Sequence, residues 1–103
     1  MKLKHIKVPG DALASLCQQW HISKLSLFGS VLRDDFTPES DIDVLVEFEP
    51  GFTPGFLKIH QIQEELSELF EHHTIDLVTL KSLNHRIRDR VLATAEVCYV
   101  ATR

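Results

Sequence analysis

Ten residues separate the pair Gly29-Ser30 from Asp41, and Asp43 follows after a single residue. These types at this spacing suit phosphate chemistry. Along a strand, residues two apart project to one side, so Asp41 and Asp43 present a pair of carboxylates while Ile42 and Val44 turn to the core. Paired carboxylates repel each other unless hard, oxygen-preferring cations sit between them, as in phosphoryl-transfer sites with two ions about 3.5–4 Å apart. Gly29-Ser30 stands where a strand ends and a helix begins, a place where free backbone N–H groups and a helix dipole favour phosphate. Gly29 allows close approach to the backbone, the Ser30 hydroxyl adds a hydrogen bond, and Arg33 offers a planar fork of donors to the same anion. A third carboxylate is needed to hold the metal nearer the nucleophile and to help remove the acceptor proton. Asp76 is the candidate, because it interrupts the apolar run Ile75, Leu77, Val78, where an ionised acid is costly unless it is paired or binds a cation.

The elements that must position these groups follow from periodicity. Asp11 is placed to cap a helix over 11–20, with Leu13, Leu16, Cys17 and Trp20 on one face. Residues 24–28 alternate as a first strand, 30–35 form a short helix ended by Pro38, and 41–48 form a second, β-branched strand. PGFTPG at 50–55 is a loop. Phe56, Ile59, Ile62, Leu66, Leu69 and Phe70 share a face of a helix over 56–70, which needs a sheet to cover. A third strand spans 74–80, Leu83, Ile87 and Val91 or Leu92 mark a last helix, and a short strand lies near 97–100. The alternation predicts an α/β (α+β) fold, a small mixed sheet packed against helices.

With 103 residues, 44% hydrophobic and 25% charged, the chain reads as one domain over 1–103. No apolar run of signal-peptide or membrane-spanning length follows the basic Lys2, Lys4 and Lys7, which points to a soluble cytoplasmic protein with no membrane partner. Cys17 and Cys98 fit no metal-ligand spacing and read as reduced thiols. A net charge of −4 argues against long nucleic acid as main substrate, since that affinity depends on Lys and Arg number.

Gly-Ser, ten residues, then Asp-x-Asp is the signature of the DNA polymerase β type nucleotidyltransferase superfamily, and the chain resembles its minimal nucleotidyltransferases. The motif covers Gly29 to Asp43, and the likeness runs from the first helix to the last strand. It implies that Asp41 and Asp43 bind two magnesium ions, that Asp76 completes the metal and catalytic set, and that Gly29 and Ser30 bind the triphosphate of ATP, with Arg33 beside them. One departure is Asp34, where many relatives have glycine after the arginine. Small members of this group are antitoxins of HEPN-domain RNase toxins, and the resemblance implies transfer of AMP from ATP to a tyrosine of such a toxin. A second reading keeps the antitoxin role and makes it one of binding and occlusion over a catalytically weak site.

Four residues at fixed spacing, each about 5–7% of composition, recur by chance in about one chain of this length per thousand. The bland alternatives are that Asp41 caps a turn, that Asp43 faces solvent and that Asp76 is an edge-strand acid. His60, His72 and His73 have no matching Cys or carboxylate spacing, so they read as helix-end or loop histidines and no zinc is assigned. Lys81, Arg86, Arg88 and Arg90 read as a solvated helix face.

Overall fold

The computed structural model describes residues 5–102, so Lys2 and Lys4, and the ends of the single-domain reading over 1–103, lie outside the described residues. The elements run α1 (Gly10–Gln19), β1 (Ile22–Phe28), β2 (Ile42–Phe48), α2 (Phe56–Leu69), β3 (Ile75–Val78), α3 (His85–Thr94) and β4 (Glu96–Val100), with 3-10 turns at Gly29–Leu32 and Leu80–Ser82. The sheet order is β3-β2-β1-β4. β1 pairs antiparallel with β2 and β4, while β2 and β3 pair parallel across the α2 crossover. The expected mixed sheet with helices is thus present.

Strand alternation sorts the side chains. One sheet face carries Leu25, Leu27, Ile42, Val44, Val46 and Ile75, and α1 and α2 cover it with Leu13, Leu16, Cys17, Ile62, Leu66 and Phe70. A smaller cluster of Leu45, Leu83 and Val91, with Phe28, Val78 and Leu80 against it, lies on the opposite face, the one toward which Asp43 points. α3 therefore borders the carboxylate face rather than the main core.

Several boundaries differ from the sequence reading for local reasons. Asp11 does not cap α1: Pro9 occupies the N-cap, its carbonyl accepts the Leu13 N–H at 2.9 Å, and Asp11 sits in the first turn, where its charge favours the dipole. The short helix expected over 30–35 is one 3-10 turn that ends at Leu32, with Arg33 already extended. β3 stops at Val78 because Thr79 and Ser82 form a reciprocal cap, the Thr79 side chain accepting from the Ser82 N–H and the Ser82 side chain from the Thr79 N–H. Phe56 leaves the predicted apolar face of α2 altogether and is 91% exposed, while Ile62, Leu66 and Phe70 are buried as expected.

Candidate functional site

β2 is an interior strand, flanked by β1 and β3, and its first turn of pleat holds Asp43 at the meeting point of three elements. Phe28, the last residue of β1, is the cross-strand partner of Asp43, and Asp76 of β3 is its partner on the other side. Both partners share Asp43's face. The chain then turns at Gly29, whose φ of +79° lies in the left-handed region that glycine tolerates. A Cβ at this position would run into the Asp43 carboxylate, so the absence of a side chain is required by the acid as well as by any phosphate. The 3-10 turn that follows is closed by the Arg33 N–H donating to the Ser30 carbonyl at 2.9 Å.

Asp43 is half-buried, and its carboxyl is held above the usual carboxylate range. Burial is the largest cause, followed by the charges of Asp76 and Asp41 and by a hydrogen bond with Asp76, while Arg33 acts in the opposite direction. Three of the residues singled out from sequence, Asp41, Asp76 and Arg33, thus act on a fourth, Asp43, and Gly29 lies against the same carboxylate. Ser30 stands beside Gly29 on the 3-10 turn, half-exposed. Arg33 is exposed, and its Nε pairs with Asp35 at 3.2 Å, so its guanidinium already has an acidic neighbour at the rim.

Two expectations need correction. Asp41 precedes β2 instead of belonging to it, so the two-residue alternation places Asp43 but not Asp41. Asp76 is exposed on the edge strand, so the desolvation argument made for it fails, and the burial cost falls on Asp43 in the central strand. Among the described residues, no three His, Cys, Asp or Glu side chains converge closely enough to ligate one ion as placed. The donor set nevertheless fits a hard divalent cation: all three groups are carboxylates, and the repulsion that adds to burial in raising the Asp43 pKa is what such a cation relieves.

The histidines divide by environment. His60 pairs with Glu64 one helical turn on at 3.1 Å, and His72 is exposed. His73 lies between α2 and β3, as a loop histidine would, yet it is buried, and nothing in its spacing signals that. Arg86 and Arg90 are exposed on α3, and Arg88 is half-buried.

A family model described as a nucleotidyltransferase domain matches residues 11–98. The chain belongs to the nucleotidyltransferase family. This nucleotidyltransferase is 35% identical to the protein adenylyltransferase MntA of Thermococcus cleftensis over 85 residues, covering 82% of this chain and 81% of the relative. It is 33% identical to a candidate protein adenylyltransferase of Methanocaldococcus jannaschii over 82 residues, 80% of this chain and 74% of that one. Among solved structures, it resembles a candidate minimal nucleotidyltransferase at 34% identity and TM-score 0.67, covering 84% of this chain and 85% of the other. A toxin–antitoxin crystal structure with AMP-PNP shares the fold at TM-score 0.70 and 18% identity, over 92% of this chain and 76% of that one. The matched segment includes the whole carboxylate site, and the enzyme is a minimal nucleotidyltransferase.

Proposed function

We propose that this nucleotidyltransferase transfers AMP from ATP to a tyrosine hydroxyl of a partner protein, an HEPN-family RNase toxin for which it is the cytoplasmic antitoxin. The observation that carries the reading is the register match of Asp43 with Asp76 on parallel strands, with Gly29 against the same carboxylate. In this proposal Asp41, Asp43 and Asp76 hold two magnesium ions, which when bound neutralise the triphosphate and lower the barrier to attack at the α-phosphorus. Gly29 and Ser30 receive the phosphates, and Arg33 exchanges its Asp35 partner for a phosphate oxygen. The tyrosine oxygen bonds to the α-phosphorus, the bond from that phosphorus to the bridging oxygen of the β-phosphate breaks, and pyrophosphate leaves. Asp76, exposed on its edge strand, takes the phenolic proton, because an unperturbed tyrosine of pKa about 10 is a poor nucleophile at neutral pH.

Two further features support a protein acceptor. Asp41 and Asp76 are exposed, the latter on an edge strand, so a docking protein can bring its own hydroxyl to them. The relatives include a protein adenylyltransferase, and the structural neighbours include the toxin–antitoxin pair MntA–HepT. The whole chain, 1–103, is taken to act as one catalytic domain, and no described helix is long and apolar enough to cross a membrane. Incubating the purified protein with the product of its neighbouring gene, ATP and magnesium, then weighing the partner by mass spectrometry, tests the proposal. The expected result is one or more adenylyl groups on a tyrosine, lost with Asp43→Asn. A toxin that is inhibited without gaining mass would establish binding and occlusion instead.

A further inference from the structure

Asp43 and Asp76 are locked together by the ladder between β2 and β3, but Asp41 lies just outside β2, and the ladder does not hold it. Its position depends on the peptide that precedes it. The carbonyl of that peptide belongs to Ser40, and it accepts a hydrogen bond of 2.8 Å from Nδ1 of His73. Two residues on from Ser40 and one on from His73, the Ile42 N–H donates to the Thr74 carbonyl at 2.9 Å. These two bonds bracket Asp41 and tie it to the segment that leads into Asp76.

His73 is itself held firmly. It is buried, its carbonyl accepts the Ser67 hydroxyl at 2.7 Å, and its N–H donates to the Phe70 carbonyl at 3.1 Å. Glu71 and His72 reach it through consecutive left-handed conformations, φ 54° and 64°, uncommon for residues other than glycine. The Phe36 ring lies 4.8 Å from the His73 ring and 5.3 Å from His5, whose Nε2 bonds the Arg33 carbonyl at 2.6 Å. The stack thus grips both ends of the segment 33–40 that joins the Gly29-Ser30 turn to Asp41. A carbonyl only accepts, so His73 must carry its proton on Nδ1.

We propose that His73 is a positioning residue that holds the backbone at Asp41 in place beside the strands carrying Asp43 and Asp76, through the Ser40 carbonyl and the Phe36 stack. The inference rests on the reading of these three acids as the metal-holding set, and groups that orient metal ligands typically contribute about 10–100-fold to metal affinity. Asparagine puts an N–H donor the same number of bonds from Cα as His Nδ1, whereas leucine removes the donor.

The test is Mn2+ alone as probe, titrated against the full chain and followed by electron paramagnetic resonance, with thermal midpoints recorded for every variant. We expect His73→Leu to weaken Mn2+ binding about tenfold or more and His73→Asn to stay within about threefold of wild type. Equal affinity in wild type and His73→Leu, or an equal loss in His73→Asn and His73→Leu, overturns the inference while leaving the carboxylate reading intact. Wild-type affinity no better than that of Asp43→Asn overturns the carboxylate reading and the inference with it. Because His73→Leu can fail to fold, long-range 1H–15N correlation on the wild-type imidazole provides a second arm: an Nδ1–H tautomer is expected, and a neutral Nε2–H tautomer overturns the proposal.

Discussion

Asp43 sits where burial and two like charges act on the same carboxyl, and the direction of its shift determines how stability responds to pH. A folded-state pKa raised above the unfolded value means that this group's favourable contribution is complete below the ordinary carboxylate range and is lost as pH rises through the raised value. At neutral pH Asp43 therefore subtracts from stability. Asp43→Asn, nearly isosteric and neutral, is expected to unfold at a higher temperature than wild type at pH 7, with the gap narrowing as pH falls and closing below about pH 4. Calorimetry at the two pH values checks this, and a less stable Asn variant at pH 7 would show that the carboxylate makes favourable contacts that outweigh repulsion. Because Asp43 is only half-buried, solvent screens part of the effect, so the sign is the discriminating quantity. At this scale Asp41 and Asp43 are legible in the sequence through their spacing and Asp76 through its apolar neighbours, but the burial of each carboxyl is not. Which carboxyl bears the burial cost depends on strand order, and Asp76 and Asp43 trade roles once β3 is found at the edge.

The two layers meet at the thiols of Cys17 on α1 and Cys98 on β4, both unbonded. Burial, with Cys98 nearby, pushes the Cys17 thiol up to about 12, and burial followed by the Glu96 charge pushes Cys98 up to about 11. Reactivity follows the thiolate, so both should label slowly with a disulfide reagent at neutral pH, Cys98 ahead of the fully buried Cys17, and at least about tenfold faster in urea. Native labelling of Cys17 at the unfolded rate would mean that α1 opens from the sheet readily. Periodicity gives the elements correctly where a strong period meets a core: Leu13, Leu16 and Cys17 on α1, Ile62 and Leu66 on α2 with Phe70 at its C-cap, and the alternation of β2. It does not give them where short polar contacts decide. The Thr79–Ser82 cap that ends β3, the Pro9 start of α1 and the single 3-10 turn after Gly29 depend on local hydrogen bonds that periodicity does not register.

Across the whole molecule, the site and the most exposed apolar side chains lie at opposite ends of the sheet. Asp43 is near the start of β2 and Phe48 ends it, about 17 Å away at 3.3 Å per residue. Beyond Phe48 the loop 51–55 and the first turn of α2 form an open groove with Trp20 and His21, where Phe52 stacks on His21 at 3.7 Å. Phe56 and Leu57, 91% and 85% exposed, stand in this first turn, which has run past the cover of the sheet. Helical spacing assigned Phe56 to the core because it continues the Ile59–Ile62 face, and a periodic pattern carries no information about where the sheet beneath it stops. Side chains that bury so little area on folding contribute little to stability, so Phe56→Ser and Leu57→Ser should each change the unfolding free energy by less than about 0.5 kcal/mol, against about 3–5 kcal/mol for Phe70→Ala in the core. Both serine variants should also bind Mn2+ as wild type does, since neither touches the elements that place Asp41, Asp43 or Asp76. Urea unfolding of the three variants checks the contrast. A serine variant that lost stability on the scale of Phe70→Ala would mean that the first turn of α2 packs in solution against apolar surface of this chain or of a second copy.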